Sequence, residues 1–234
     1  MHAIYTPILL VALSTVPVLA QVQVTSAMRN AMWKGEIGTA IRLDTVTTRP
    51  HMYGLGPLSG LQGEIMLWDS RVYVSRVAGE GPMSVRSEPT AGAPFFVMQR
   101  VDEWTRVEMN REVNGLETLS AHIDSLAGKN DEPFAFRLTG KVKSATVHVV
   151  NLPDGAIVRS PDDAHKGIRK YKVEDTEVQV LGFFSRHHQA VFTHHDTFVH
   201  LHLMTTDGIV MGHLEEMNFD PMEMVLQTSV RFHN

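Results

Sequence analysis

"TFVHLHLMTTDGIVMGHLEE" (Thr197–Glu216) puts three histidines among regularly spaced apolar residues. Strand side chains alternate faces, so Val199, Leu201 and Leu203 point one way while Phe198, His200, His202 and Met204 point the other. Asp207-Gly208 is a favoured pair for a two-residue type I′ turn, since both central residues need positive φ. Such a turn pairs Thr206 with Ile209 and carries the register to His202 opposite His213, on one face with Cβ atoms ~5 Å apart. His200 then lies two residues along that face, opposite Glu215. Three imidazoles and a carboxylate converge on one patch. Three histidines with a further position left open is the ligand pattern of catalytic zinc, and Mn²⁺ or Fe²⁺ accepts the same donors.

The other histidines lack this pattern. His187, His188, His194 and His195 lie in "SRHHQAVFTHHD" (Ser185–Asp196), which has no clean alternation and reads as a loop near the mouth of the site. His51, His122, His148, His165 and His233 read as structural or surface residues. The chain contains no cysteine, so thiolate ligands and disulfides are excluded and a metal must be held by His, Asp or Glu.

The 234 residues carry a net charge of −5 without long runs of one sign, which removes the basic patches needed to neutralise nucleic-acid phosphates or anionic lipid. "AIYTPILLVALSTVPVLA" (Ala3–Ala20) is a short apolar run ending in small residues, although no Lys or Arg precedes it. Residues 1–20 are therefore expected to be a signal peptide and the protein to be exported, to the periplasm or beyond.

Further along, Met28, Met32, Ile37 and Ile41 suggest one or two short helices broken near Gly35 and Gly38. Glu64–Ser75 reads as a hairpin turning near Asp69-Ser70, and "APFFVMQR" (Ala93–Arg100) as a buried strand. "LETLSAHIDSLAG" (Leu116–Gly128) is the clearest helix, with apolar residues at 116, 119, 123 and 126 and a glycine stop. After it the pattern is all strand: "FAFRLTGKVKSATVHVV" (Phe134–Val150), "EVQVLGFFS" (Glu177–Ser185) and the histidine hairpin. The class is α+β, strand-dominated in the second half, and no linker is long enough to separate independent domains.

"GLGPLSGLQGEI" (Gly54–Ile65), followed late in the chain by "VHLHL" and "MGHL", resembles the acetolactate decarboxylase family. Its members carry a Gly-Leu-Gly-x-x-x-Gly-Leu-x-Gly-Glu stretch, then a His-Leu-His strand and a Gly-His eleven residues on. "MWKGEIGTAIRLDTV" (Met32–Val46) and "FAFRLTGKVKSATV" (Phe134–Val147) are similar to further family segments. The resemblance spans roughly residues 30–220. It implies a two-lobed, mixed and antiparallel fold: an N-terminal α/β lobe over 21–130 and a β-barrel-like lobe over 131–234 that carries the metal hairpin. It also implies Zn²⁺ at His200, His202 and His213, a possible homodimer, and conversion of 2-acetolactate or a close 2-hydroxy-3-keto acid to acetoin and CO₂. Arg137 would orient the small-molecule substrate, and Glu64 would act as acid and base.

Two features depart from the family. Its C-terminal glutamate, which folds back over the metal, has no counterpart in "VLQTSVRFHN" (residues 225–234), so that Glu215, by parity, or no residue at all takes that role, or the chemistry has changed. Ser185–Asp196 is His-rich where the family is rich in Pro, Tyr and Gly. Two other readings therefore stand beside decarboxylation: another lyase or hydrolase built on three histidines, or an exported metal- or ligand-binding protein that has lost the activity.

Overall fold

In a computed structural model, residues 21–79, 81–194 and 197–232 are described; the signal-peptide expectation and the readings of His195 and His233 fall outside them. Strands dominate: β1 (Gln23–Thr25), β2 (Ile41–Arg42), β3 (Met52–Pro57), β4 (Glu64–Trp68), β5 (Arg71–Val77), β6 (Met83–Ser87), β7 (Gly92–Ala93), β8 (Phe96–Arg100) and β9 (Thr105–Val107) fill the first half. β10 (Phe134–Val149), β11 (Arg169–Phe184), β12 (Val199–Thr205) and β13 (Met211–Thr228) fill the second. Helices are few: α1 (Met28–Lys34), α2 (Leu116–Ala127) and α3 (Pro161–Ala164). The expected α+β, strand-rich class holds.

The glycine-rich stretch forms part of a six-stranded antiparallel sheet in the order β1-β8-β3-β4-β5-β6. Its glycines have a steric reason. A Cβ on Gly54 would stand 2.5 Å from the Phe96 ring, and one on Gly56 2.5 Å from the Phe95 carbonyl oxygen. Bare backbone in β3 thus lets β8 and its aromatic side chain lie close. β4 and β5 turn at Asp69-Ser70, both at positive φ (46° and 65°), as the tight turn between twisted strands requires.

β10 pairs with β11, β11 with β12, β12 with β13, and β13 again with β10, so the ladders form a closed circuit, with β9 added beside β13. Alternation gives the circuit two faces. Phe136, Leu138, Val180, Leu201, Leu203 and Leu214 pack together with Leu119 and Ile123 of α2. The opposite parity, including Ala135, Leu181, Phe183, Met204 and Met211, packs against Tyr53, Leu55, Met66 and Val97 of the first sheet. Phe134, Phe136, Phe183, Phe184 and Phe219 are all fully buried. Their burial contributes on the order of 10 kcal/mol before chain entropy is set against it. His200 and His202 share the parity of Met204, so the histidine face is covered by the first sheet.

Candidate metal centre

The histidine hairpin has the expected register but a different bend. His202 lies opposite His213, Leu203 opposite Gly212 and Met204 opposite Met211. The strands, however, stop at Thr205 and restart at Met211, and only Gly208 of the bend takes positive φ (70°). Gly208 N–H donates to the Thr205 carbonyl (2.9 Å), while the Asp207 carboxylate accepts from Thr205 Oγ1 (2.6 Å) and Ile209 N–H (3.0 Å). The type I′ turn is thus replaced by a wider loop. Thr205 still faces Val210, its N–H donating to the Val210 carbonyl (2.9 Å), so the parity of everything beyond is unchanged.

One nitrogen from each of His200, His202 and His213 lies within 4.8 Å of the others, and all three residues are buried. His200 Nε2 is 3.1 Å from His213 Nδ1. Two nitrogens bound to one zinc at ~2.0–2.1 Å in a tetrahedron stand roughly 3.3 Å apart, so this spacing fits shared ligation. His200 Nδ1 and both nitrogens of His202 are buried without a well-formed hydrogen bond. The backbones of Phe192 and Ile65 lie beside the two rings and raise their basicity, against the larger effect of burial. Buried polar atoms are normally satisfied, and a cation beside the His200 Nε2–His213 Nδ1 pair would take up one of the two His202 nitrogens, each imidazole offering a single ligand atom. Burial, followed by repulsion from neighbouring imidazoles, lowers the His202 pKa to about 3 and those of His200 and His213 well below 6.5. All three rings are neutral at pH 7, the form that ligates metal.

Glu64 completes the group from the first sheet. Gly63 swings the chain into β4, and the carboxylate reaches across so that Oε2 is 3.6 Å from His202 Nε2. Its Oε1 accepts the Val150 N–H (3.2 Å). Burial pushes the Glu64 pKa well above 4.5, with the Val150 N–H opposing.

His148, read from sequence as structural or surface, and His194, read as a loop residue near the mouth of the site, both lie beside the centre. His148 is the direct β10 partner of His213, with ring centroids 4.6 Å apart. Gly212 makes room for this, because a Cβ there would strike the His148 carbonyl. His194, from the His-rich loop, brings Nε2 to 3.1 Å from His213 Nε2. Neither has a local sequence signal. Both arrive through contacts formed by tertiary structure.

Glu215 does not face His200, and the reason is a bulge. Thr146 pairs with Glu216 and Val147 with Leu214, which leaves Glu215 as an extra residue. It turns instead to His148 Nδ1 (3.0 Å) and Lys170 Nζ (2.7 Å), Lys170 being the β11 partner of His148. Burial would raise its pKa, but Lys170 and His148 hold it below 4.5. Glu215 is thus paired with His148 and Lys170 and not placed opposite His200. His148 is lowered to about 4, mainly by burial, with Glu215 pulling the other way.

Arg137 stands opposite Leu181, which stands opposite His202, so two strand spacings, ~10 Å, separate its backbone from that histidine. Its Nε donates to Gln227 Oε1 (2.9 Å), and its guanidinium lies 4.6 Å from the Trp104 ring and 5.7 Å from that of Trp68. The fold therefore gathers Glu64 with the three histidines and places Arg137 in an aromatic box along the same face.

An open cleft of about 1150 Å³ lies beside α2 and reaches the centre from the His213 side, with His148, His194, Phe198, Glu215 and Met217 among its walls.

The sequence profile of the family described as alpha-acetolactate decarboxylase matches residues 23–234. No curated protein matches the sequence. Solved structures do resemble the fold. Alpha-acetolactate decarboxylase from Bacillus subtilis strain 168 superposes with a TM-score of 0.70 at 17% identity, covering 89% of this chain and 84% of that one. Acetolactate decarboxylase from B. subtilis subspecies spizizenii gives 0.72 at 17%, covering 90% and 86%. A Staphylococcus aureus protein of unknown function, similar to alpha-acetolactate decarboxylase, gives 0.72 at 14%, covering 88% and 84%.

Proposed function

The chain belongs to the alpha-acetolactate decarboxylase family, and we propose that it is a metal-dependent lyase converting 2-acetolactate, or a close 2-hydroxy-3-keto acid, to acetoin and CO₂. The observation that carries this reading is the buried triad itself, one nitrogen from each of His200, His202 and His213 lying within 4.8 Å of the others, beside the buried Glu64. His200, His202 and His213 would hold the cation, with zinc the first choice for three imidazoles. When bound, such an ion supplies Lewis acidity, polarising the keto oxygen toward which electrons flow as the bond to the carboxylate breaks.

The chain's own groups do the rest. Glu64, whose protonated form burial favours, would donate a proton to the carbon that has lost CO₂; general acid–base assistance of this kind contributes about 10²–10⁴-fold. The covering first sheet keeps water from His202, which is fully buried. Arg137 orients the substrate carboxylate through guanidinium nitrogens other than Nε, which Gln227 holds. Export, read from the apolar run at Ala3–Ala20, and a division into lobes near residue 130 belong to the same proposal.

The test is acetoin release from racemic 2-acetolactate by purified protein. Activity should vanish with a chelator and return with Zn²⁺. Glu64→Gln should keep the metal and lose about 10²–10⁴-fold in turnover. Protein that binds zinc stoichiometrically yet forms no acetoin would reduce the proposal to metal binding alone.

A further inference from the structure

His213 sits between two imidazoles. Its Nδ1 faces His200 Nε2 at 3.1 Å, and its Nε2 faces His194 Nε2, also at 3.1 Å. A neutral imidazole carries its proton on one nitrogen and a lone pair on the other. If the lone pair serves a cation shared with His200, it is on Nδ1, and the proton is on Nε2. That N–H then points at His194, whose Nε2 must be the acceptor. We infer that His194 is a positioning residue of the centre: it accepts the Nε2 proton of His213 and so fixes the tautomer and ring angle that present Nδ1 to the metal.

The loop that delivers His194 is anchored. Met28 N–H donates to the Val191 carbonyl (2.7 Å) and Arg29 N–H to the Ala190 carbonyl (2.9 Å), tying it to the start of α1. His188 Nδ1 is 2.8 Å from Ser185 Oγ, and its ring stacks on that of Phe192 with centroids 5.0 Å apart. Phe192 and Thr193, the two residues before His194, are fully buried. Metal-bound histidines commonly donate their second N–H to a carboxylate, carbonyl or water. Here an imidazole takes that place.

This inference rests on the metal reading above, so its test is metal binding and not turnover. Zinc affinity of the full chain is measured by competition with a chromophoric chelator, with visible absorption of the Co²⁺ form reporting ligand number. His194→Ala should weaken zinc binding about 10–100-fold, the usual loss when such a partner is removed. The Co²⁺ bands should keep their four-coordinate intensity. His194→Gln, whose Oε1 can accept the same proton, should restore affinity close to the parent's. Unchanged affinity in His194→Ala would overturn the inference. So would a His194→Gln variant as weak as the alanine one with altered Co²⁺ bands, since His194 would then be a ligand itself. Parent protein that binds no zinc would instead overturn the metal reading, which separates the two failures.

Discussion

The centre has two sides built to opposite rules. On the covered side, His200 and His202 sit beneath the first sheet with three nitrogens unsatisfied. On the cleft side, His148 is bonded to Glu215, Glu215 to Lys170, and His213 to His194. His202 thus keeps both ring nitrogens unsatisfied under the sheet, while the rings on the cleft side are paired with neighbours. The contrast separates a ring left unpaired under the sheet from rings that their neighbours hold in place.

Matched substitutions should break or sharpen that distinction. His202→Leu should abolish tight metal binding and bring acetoin formation to background, the largest effect expected at any single position. In the metal-free protein the same change should cost little, because neither His202 nitrogen has a hydrogen bond of good geometry. His148→Leu should do the reverse, leaving zinc bound but lowering metal-free stability by about 0.5–1.5 kcal/mol, since it removes one hydrogen bond from a partly exposed Glu215 that keeps Lys170. Chemical denaturation in chelator, together with zinc titration, reads both. Equal losses of metal-free stability in the two variants would erase the contrast.

A smaller effect is expected from pH. His202 is lowered to about 3 and His148 to about 4, so between those values and 6.5 the unfolded chain binds more protons than the folded one. Stability of the metal-free protein should therefore rise with pH across that window and fall on acidification. Glu64 opposes this: its raised pKa contributes stability below 4.5 that is lost as pH climbs through its folded value. The histidines outnumber it, and urea midpoints measured from pH 4 to 7 should increase. Flat midpoints would mean the rings are not desolvated as described.

The smallest effect belongs to Lys170, whose side chain is 61% exposed where it meets Glu215. Lys170→Ala should leave zinc affinity and melting temperature unchanged within error, because an exposed pair of this kind contributes little.

Where these residues lie in sequence explains which of them could be foreseen. The pairing of His202 with His213 was legible because strand parity is strict, and it survived a wrong turn type because Thr205 and Val210 still close the loop opposite each other. Parity failed at Glu215, where one bulged residue turns the side chain from His200 to His148. His148 meets His213 across sixty-odd residues, through a strand pairing that no local pattern announces. His194 comes from a loop without periodicity, held by the start of α1. Glu64 was reachable only through the resemblance of its glycine-rich stretch, whose bare backbone proves to be a packing requirement.

The closed circuit of β10 to β13 also bears on when the centre can exist. Its histidines are contributed by β12 and β13, its covering carboxylate by β4, and its flanking ring by β10, so no short stretch of chain holds the constellation alone. A nascent or half-assembled polypeptide offers passing cations isolated imidazoles, which bind weakly. Under the proposed function, capture would wait for the last ladder to close, and an ion, once seated, would fasten together segments that chain entropy would otherwise let drift apart.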